Sequence, residues 1–295
     1  MVVFISDETI SGFIKEDVPY IDLTTMLLGI GKKQGRIVFS TREDGVLAGS
    51  EEVLRIFQKL DIKAVQFLES GAVIKKGETI ITGEGKAENL HMAWKVCQNI
   101  LEYCCGIAAR TRQLLDNARE VNPSIEVVAT RKIFPGTKEL SLKSVLAGGA
   151  YPHRLGLSET ILIFKQHWNF MESYEELLEK IAEIKKTACE KKIIVEAESL
   201  DEAMRAAAAG ADGIQFDKVS PGNLVGWVEK IRAAHPGIIV IAAGGINQNN
   251  AREYAGTGID AIVTTAVYFG KPADIKVDIH AAEATPSDDK KVRIQ

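Results

Sequence analysis

Positively charged residues cluster after a short apolar run in the middle of the chain. The run Ile125–Ala129 is predicted to be a buried strand, and Arg131 and Lys132 follow it closely. His153 and Arg154 lie further along the chain. Proteins built from alternating strands and helices form their sites at the carboxyl ends of the strands. Because the chain carries a net charge of −4, this local group of cations indicates an anionic ligand with phosphate or carboxylate groups.

Two acidic residues stand at the ends of later apolar runs. Glu196 ends the run that begins at Ile193, and Asp217 ends the run that begins at Gly213. Carboxylate oxygens are suitable ligands for Mg²⁺, which keeps several of its waters. The positions therefore predict a magnesium site with catalytic importance. The alternative is that each acid only accepts hydrogen bonds from backbone N–H groups at its strand end.

A glycine pair and a threonine pair follow the last two apolar runs. Ala243, Gly244 and Gly245 come after one run, and Thr264 and Thr265 end the other. Glycines before a helix allow backbone N–H groups to approach a phosphate, and late-strand loops are common phosphate sites in barrels. A glycine pair alone is a weak signal, because many strand-to-helix turns contain one. Together with the cations and acids, it predicts a phosphate-binding site that includes Thr265.

The second half of the chain alternates short apolar runs with segments of helical periodicity. The runs predicted to be strands are Ile125–Ala129, Ile161–Phe164, Ile193–Glu196, Gly213–Phe216, Ile238–Ala242 and Ala261–Thr264. Repeated strand–helix units predict a parallel sheet. A closed or nearly closed barrel is favoured over a dinucleotide-binding sheet, because no G-x-G-x-x-G follows the first strand and polar residues end many strands.

The bulk composition is that of an ordinary globular protein. The chain has 295 residues, is 46% hydrophobic and has a pI near 5.9, which argues against nucleic acid as the main partner. No apolar run approaches the roughly 20 residues of a membrane span. The first residues have no basic region or cleavage signal, so we expect a cytoplasmic location. The cysteines form no C-x-x-C pair, and we expect them to be small buried residues.

Several motifs resemble one known family, the quinolinate phosphoribosyltransferases, also called nicotinate-nucleotide pyrophosphorylases. The residues that carry the resemblance are Thr130-Arg-Lys-x-x-Pro-Gly, the run from Gly148 to Leu157 with His153-Arg154 inside it, Ala209 to Asp217, Asp22-x-Thr24-Thr25, Cys105 to Ala108, and Gly244-Gly245-Ile246. They are spread over nearly the whole chain.

The resemblance implies an α/β fold with an N-terminal α/β sandwich domain and a C-terminal open TIM-like α/β barrel of about six strands. The implied domain ranges are 1–108 and 109–280, followed by a polar extension at 281–295. The implied reaction transfers a phosphoribosyl group from phosphoribosyl pyrophosphate, with Mg²⁺, to a small anionic or heterocyclic acceptor. A homodimer with shared active sites, or a higher oligomer, is also implied.

The chain departs from the family pattern at positions that would bind the acceptor. Lys95 stands where the family has an arginine, and Phe164 stands where it has a lysine. Lys165 is one residue away, and neighbouring strand residues point to opposite faces. Arginine-to-lysine replacement loses a bidentate contact, and phenylalanine removes a charge. These departures resemble the ModD branch of the family, which is encoded with molybdate transport genes.

The resemblance assigns a role to each candidate residue. Lys132, Glu196 and Asp217 are the expected catalytic residues, with the two acids as metal ligands. The expected substrate-binding residues are Lys95, Arg131, His153, Arg154, Phe164 and Lys165, and the expected phosphate-binding residues are Ala243, Gly244, Gly245 and Thr265. The favoured function is a phosphoribosyl-transferring pyrophosphorylase. The alternatives are a carboxylating quinolinate enzyme of NAD biosynthesis and a non-catalytic oxyanion or nucleotide binder linked to molybdate uptake.

Overall fold

The computed structural model describes residues 3–282, and these form two compact units. One unit contains Phe4–Cys105 together with the segment that begins at Pro272, and the other contains Gly106–Lys271. The predicted extension 281–295 therefore lies outside the described residues from position 283 onward. None of the helices in the described part is long and apolar enough to cross a bilayer.

The first unit is built on a four-stranded antiparallel sheet in the order β13-β1-β5-β3. Its elements are α1 (Asp7–Asp17), α2 (Leu23–Leu27), β1 (Gln34–Thr41), β2 (Gly45–Val46), α3 (Ser50–Lys59), β3 (Lys63–Phe67), β4 (Val73–Ile74), β5 (Thr79–Lys86), the first part of α4 (Ala87–Arg119), and β13 (Ile275–Ala281). β2 and β4 pair with each other in a separate small ladder.

Strand β1 shows why this sheet carries a layer of helices. Its residues alternate between buried and more exposed positions, so one face is apolar, and the buried Phe39 ring lies 6.3 Å from the Phe57 ring of α3. α3 begins after Gly49 and ends at Lys59. The α/β sandwich predicted for the N-terminal part is confirmed.

The second unit contains a seven-stranded parallel sheet in the order β7-β6-β12-β11-β10-β9-β8. Its elements are β6 (Glu126–Ala129), α5 (Lys138–Ala147), β7 (Tyr151–Pro152), β8 (Ile161–Ile163), α6 (Lys165–Trp168), α7 (Tyr174–Thr187), β9 (Ile193–Ala197), α8 (Leu200–Ala208), β10 (Gly213–Asp217), α9 (Pro221–Ala234), β11 (Ile239–Ala243), α10 (Ala251–Ala255) and β12 (Ala261–Thr264). The sheet has two edges, β7 and β8, so the predicted open barrel is confirmed.

Three features differ from the expectation. The sheet has seven strands rather than about six, because β7 consists of only Tyr151 and Pro152 and is too short to show a periodic pattern. The predicted barrel range 109–280 also includes most of β13, whereas that strand pairs antiparallel with β1, from Gly35 opposite Ala281 to Thr41 opposite Ile275. Sequence periodicity predicts a strand but not its neighbour. Cys189 also differs from the prediction, because it is exposed while the other three cysteines are buried.

Both faces of the parallel sheet are covered by apolar side chains. Along β6, β8, β9, β11 and β12, alternate residues belong to two different clusters, as the two-residue period of a strand requires. β10 contributes Ile214 and Phe216 to the outer cluster only, and the residue between them is the buried, polar Gln215. The inner cluster contains Val128, Leu162, Ile194, Ile241, Ala243, Ala261 and Val263. The outer cluster, shared with the helices, includes Val127, Ile163, Val195, Phe216, Ala242 and Ile262. Polar groups are therefore concentrated where the strands end.

Candidate active site

The candidate site lies at the carboxyl ends of the barrel strands. The inward alternation that buries Val128, Ile194 and Val263 continues by two residues to Thr130, Glu196 and Thr265. The same step from the buried Leu162 leads to Phe164, which packs against the inner cluster. The change from apolar to polar or aromatic side chains along these inward positions marks the start of the site.

The acid Glu196 is held by a neighbour on the next strand. Gln215 lies directly opposite Glu196 in the β9–β10 register, and its Nε2 donates a hydrogen bond to Glu196 Oε2 at 3.0 Å. The Gln215 side chain is buried, and within the described chain its Oε1 has no hydrogen-bond partner. Sequence reasoning missed Gln215, although its place two residues before Asp217 gives it the same inward direction.

Burial and nearby charges set the ionisation of Glu196. Partial burial raises the pKa of the carboxyl, and the negative charges of Asp217 and Glu198 raise it further. The hydrogen bond from Gln215 and the positive charge of Lys132 act in the opposite direction. The expected catalytic residues Lys132, Glu196 and Asp217 thus interact electrostatically in one region of the barrel.

Gly244 brings the predicted phosphate turn against the second acid. A Cβ on Gly244 would lie 2.6 Å from Asp217 Oδ1 and 2.5 Å from Lys218 Cγ, so no other residue fits without displacing them. Asp217 is opposite Ala243 in the β10–β11 register, and the carbonyl of Ala243 accepts a hydrogen bond from Lys218 N–H at 2.8 Å. The turn and the acid are therefore one packed unit.

Gly244 and Gly245 both have left-handed backbone conformations, with φ of 88° and 76°. A Cβ on Gly245 would meet nothing within 4 Å, so its surroundings are open. The carbonyl of Gly245 accepts hydrogen bonds from the side-chain amides of Asn247 and Asn250, both at 3.2 Å. These two contacts fix the turn in a conformation that glycine adopts at low cost.

Thr265 is fixed to the first barrel strand. Its Oγ1 lies 2.9 Å from Thr130 Oγ1, and the Tyr268 hydroxyl donates to the carbonyl of Thr130 at 3.1 Å. Burial raises the pKa of Tyr268 to about 12, so this hydroxyl keeps its proton. The network ties the loop after β12 to the loop that begins with Arg131.

Arg131 and Lys132 are exposed on the loop after β6, and the Lys132 N–H donates to Thr130 Oγ1 at 3.2 Å. Arg131 is close enough to Arg154 that its charge, after burial, contributes to lowering the pKa of that guanidinium. The two loops after β6 and β7 therefore present their cations in the same region, as expected for an anion site.

His153 is an electrically neutral group in this positive region. Its backbone N–H donates to the carbonyl of Ala129 at 2.8 Å, and its Nε2 is buried with no hydrogen-bond partner among residues 3–282. Burial, helped by the charge of Arg154, lowers the pKa of the imidazole to about 4. At neutral pH this ring can offer a hydrogen bond but no charge.

Arg154 and Phe164 lie together beside His153. Arg154 is only 8% exposed, and its guanidinium carbon is 6.0 Å from the centre of the Phe164 ring. Two further contacts are a long hydrogen bond from Arg154 Nη1 to the Thr160 carbonyl at 3.5 Å and stacking of Phe164 on His167 at 5.7 Å. A buried cation on an aromatic face is favourable, so Phe164 stabilises Arg154.

The remaining two candidates are engaged elsewhere. Lys165 is the first residue of α6, and its exposed amine forms an ion pair with Glu198 at 3.2 Å. Lys95 lies on α4 in the other unit, where its amine contacts Gln98 Oε1 at 3.1 Å and lies 4.6 Å from the centre of the Trp94 ring.

The donor set around the two acids suits a metal that binds few protein ligands. Across residues 3–282 there is no group of three or more histidine, cysteine or acidic side chains that could hold an ion. Mg²⁺ is commonly bound by one or two carboxylates, with waters and substrate phosphates completing the shell. Glu196 and Asp217, beside the predicted phosphate turn, fit that description.

Comparison with known proteins identifies the family and supports the fold. The family model described as the C-terminal domain of quinolinate phosphoribosyl transferase matches residues 107–278, and the N-terminal domain of the same family matches residues 22–105. The chain belongs to the quinolinate phosphoribosyltransferase family. Every barrel residue of the candidate site lies inside the C-terminal match, and Lys95 lies inside the N-terminal match.

Individual members of the quinolinate phosphoribosyltransferase family resemble this chain along nearly its full length. The ModD protein of Pasteurella multocida, provisionally named a pyrophosphorylase, is 36% identical over 278 residues, covering 94% of this chain and 99% of its own. The carboxylating nicotinate-nucleotide pyrophosphorylase of Homo sapiens is 28% identical, covering 94% and 92%. The crystal structure of NadC from Streptococcus pyogenes superposes with a TM-score of 0.85 at 26% identity, covering 94% and 97%.

The ionisation of His153 leads to a pH-dependent stability. Its folded pKa of about 4 lies below the ordinary value of 6.5, so its contribution is complete above pH 6.5 and is lost as the pH falls toward 4. We expect this one residue to remove roughly 1–3 kcal/mol of the unfolding free energy over that range, allowing for partial exposure. Urea unfolding at pH 7.5 and pH 4.5 measures the loss. In His153→Asn the decline should be smaller by that amount, and an equal decline in both proteins would contradict the assignment.

Proposed function

We propose that this protein transfers a phosphoribosyl group from phosphoribosyl pyrophosphate to a nitrogen-containing heterocycle and releases pyrophosphate. The observation that carries the proposal is the packing of the Gly244 turn against Asp217, next to the Glu196–Gln215 pair, in a chain of the quinolinate phosphoribosyltransferase family. A turn that admits phosphate oxygens and an acid pair that suits a divalent cation meet at one end of the barrel.

The pyrophosphate side of the reaction falls to the turn and the nearby cations. The Gly244–Gly245 turn would receive phosphate oxygens, with Ala243 and Thr265 forming its borders. Lys132 would place its charge near the departing pyrophosphate, where negative charge develops as the bond to the ribose breaks. Mg²⁺ held by Glu196 and Asp217 would neutralise part of that same charge.

The acceptor side falls to the group around His153. Arg131 and Arg154 supply fixed positive charge for a carboxylate, whereas the neutral His153 supplies a hydrogen bond. Phe164 gives this region an aromatic face that a heterocyclic ring can contact. The combination supports an acceptor that has an aromatic ring and one anionic group, rather than an acceptor with several anionic groups that each need a cation.

Binding of phosphoribosyl pyrophosphate with Mg²⁺ should raise the melting temperature of the protein. Ligand at about one hundred times its dissociation constant stabilises a folded protein by roughly 2.7 kcal/mol. We expect Glu196→Gln and Asp217→Asn each to reduce this shift, because each removes a metal ligand. Differential scanning calorimetry with and without Mg²⁺ measures the shift in melting temperature. Enzymatic detection of released pyrophosphate, after acceptor acids are added, measures turnover.

The matched control is Glu175→Gln, which changes an exposed acid that pairs with Arg205 outside the candidate site. It should keep the full shift. No shift in the unmodified protein would refute the proposed function, and a full shift in both acid variants would refute the metal assignment alone. A shift without turnover of any acceptor would instead favour a non-catalytic nucleotide or oxyanion binder.

Quinolinate is the acceptor against which the site can be tested most sharply, since a human relative is a carboxylating nicotinate-nucleotide pyrophosphorylase. We expect poor turnover of quinolinate, because Lys95 and Phe164 replace an arginine and a lysine of the family pattern. Each lost charge-assisted contact costs about 1.5–3 kcal/mol, so two additive losses would lower kcat/KM by roughly three orders of magnitude. Steady-state kinetics on the wild-type chain and on the Lys95→Arg, Phe164→Lys double variant provide the measurement.

The double variant should gain activity on quinolinate, whereas either single variant should gain less. Efficient turnover of quinolinate by the unmodified chain would overturn the expectation and would identify the protein as a quinolinate enzyme. An unchanged rate in the double variant would show that these two positions do not select the acceptor.

A homodimer with shared sites is the proposed assembly, or the building block of a larger one. An exposed apolar segment supports it: Tyr20 and Leu27 are 91% and 74% exposed, and Ile21, Leu23, Met26 and Leu28 are exposed beside them. Exposed apolar patches of this kind mark interaction surfaces. We expect Leu27→Asp to shift the protein to monomer in light scattering.

Sharing of the site is tested by mixing two variants that are inactive alone, Lys95→Ala and Lys132→Ala. If Lys95 reaches the site of the partner subunit, a mixed dimer contains one intact site, and activity should return to about a quarter of the wild-type value for random mixing of equal amounts. No recovery from a mixture that light scattering shows to be dimeric would contradict the shared site.

A further inference from the structure

Lys218 occupies a backbone position that does not favour lysine. Its φ is 58°, in the left-handed region, where glycine, asparagine and aspartate are the usual residues. The conformation is held by the hydrogen bond from its N–H to the Ala243 carbonyl at 2.8 Å. The backbone geometry by itself therefore gives no reason for a long charged side chain at this position.

The Lys218 side chain runs along the phosphate turn. Its Cγ lies 2.5 Å from the point where a Cβ of Gly244 would stand, so the absence of that atom leaves the space through which the lysine stem passes. Its Nζ lies 3.4 Å from Asp217 Oδ2. The amine is thus carried to the boundary between the acid pair and the glycine turn.

The ion pair with Asp217 also does not explain why position 218 is a lysine. The Lys218 side chain is 79% exposed and that of Asp217 is 34% exposed, and ion pairs as open as this contribute little to stability. The same exposure leaves the amine accessible to a ligand. A cation with three donors, next to a turn that can receive phosphate oxygens, is suited to an oxygen-rich anion.

We infer that the Lys218 amine binds the pyrophosphate group of the phosphoribosyl donor, between Asp217 and the Gly244–Gly245 turn. The inference rests on the proposed function and extends it. Three residues of β10 and the position after it would then contribute to the site. Gln215 orients Glu196, Asp217 faces the turn, and Lys218 adds a positive charge. Part of the charge on pyrophosphate would be neutralised by the chain itself.

The experiment is isothermal titration of the full-length chain with inorganic pyrophosphate and with phosphoribosyl pyrophosphate, in the presence and absence of Mg²⁺. We expect Lys218→Asn to weaken binding of both probes about tenfold without Mg²⁺, as loss of one charge-assisted contact predicts. The loss should be smaller with Mg²⁺, because the ion then supplies most of the positive charge. Lys218→Arg should bind within about threefold of the wild-type chain, since it keeps the charge.

Lys180→Asn is the matched control, because it removes an equivalent charge on α7, where the amine pairs with Glu183 at 2.7 Å. It should leave both affinities unchanged. Asparagine accepts the left-handed backbone at residue 218, so the test variant should fold, and Lys218→Gln replaces it under the same criteria if its circular dichroism is altered.

Equal affinities for Lys218→Asn and the wild-type chain, in each condition where the wild-type chain binds, would overturn this inference and leave the proposed function intact. Equal losses in Lys218→Asn and Lys180→Asn would also overturn it, because the effect would then be one of net charge. Failure of the wild-type chain to bind either probe would refute the proposed function and the inference together.

Discussion

The burial of the parallel sheet on both faces is the constraint on which the site depends. Inner and outer residues alternate along β6, β8, β9, β11 and β12, and both sets are apolar. A buried polar group among them needs a hydrogen-bond partner, and Gln215 in the middle of β10 finds one in Glu196 on β9. The other polar side chains of the candidate site stand near or beyond the strand ends. The polar side chains of the candidate site are therefore concentrated in one region, because the apolar core leaves little place for them in the rest of the barrel.

The close approach of β10 and β11 at their carboxyl ends joins two parts of the site. Because Gly244 has no Cβ, the Asp217 carboxylate and the Lys218 stem can lie against the turn that follows β11. Parallel strands in register bring residues that are far apart in sequence to the same height. The acids and the predicted phosphate turn thus take their relative positions from strand pairing rather than from a flexible loop, which favours a preorganised site.

The proposed acceptor region differs in character from the proposed pyrophosphate region. It combines a buried arginine near an aromatic face with an imidazole that stays neutral, because burial beside a cation disfavours a second charge. Phe164 stabilises this arrangement by packing against both the inner cluster and the guanidinium. Family membership accounts for the general plan of the site, and these local contacts are where selectivity among heterocyclic acids would arise.

The sequence alone determined the periodic features and the motifs. Alternating apolar runs predicted six of the seven barrel strands. The positions of Lys132, Glu196, Asp217 and Gly244 relative to these runs predicted that they lie at or near strand ends. Both predictions succeed because they depend only on local sequence. Tertiary structure decided which groups meet: Gln215 with Glu196, Arg154 with Phe164, and β13 with β1. It also decided that His153 loses solvent without gaining a partner for Nε2 within the described residues. These outcomes depend on strand order and burial, which one-dimensional periodicity does not contain.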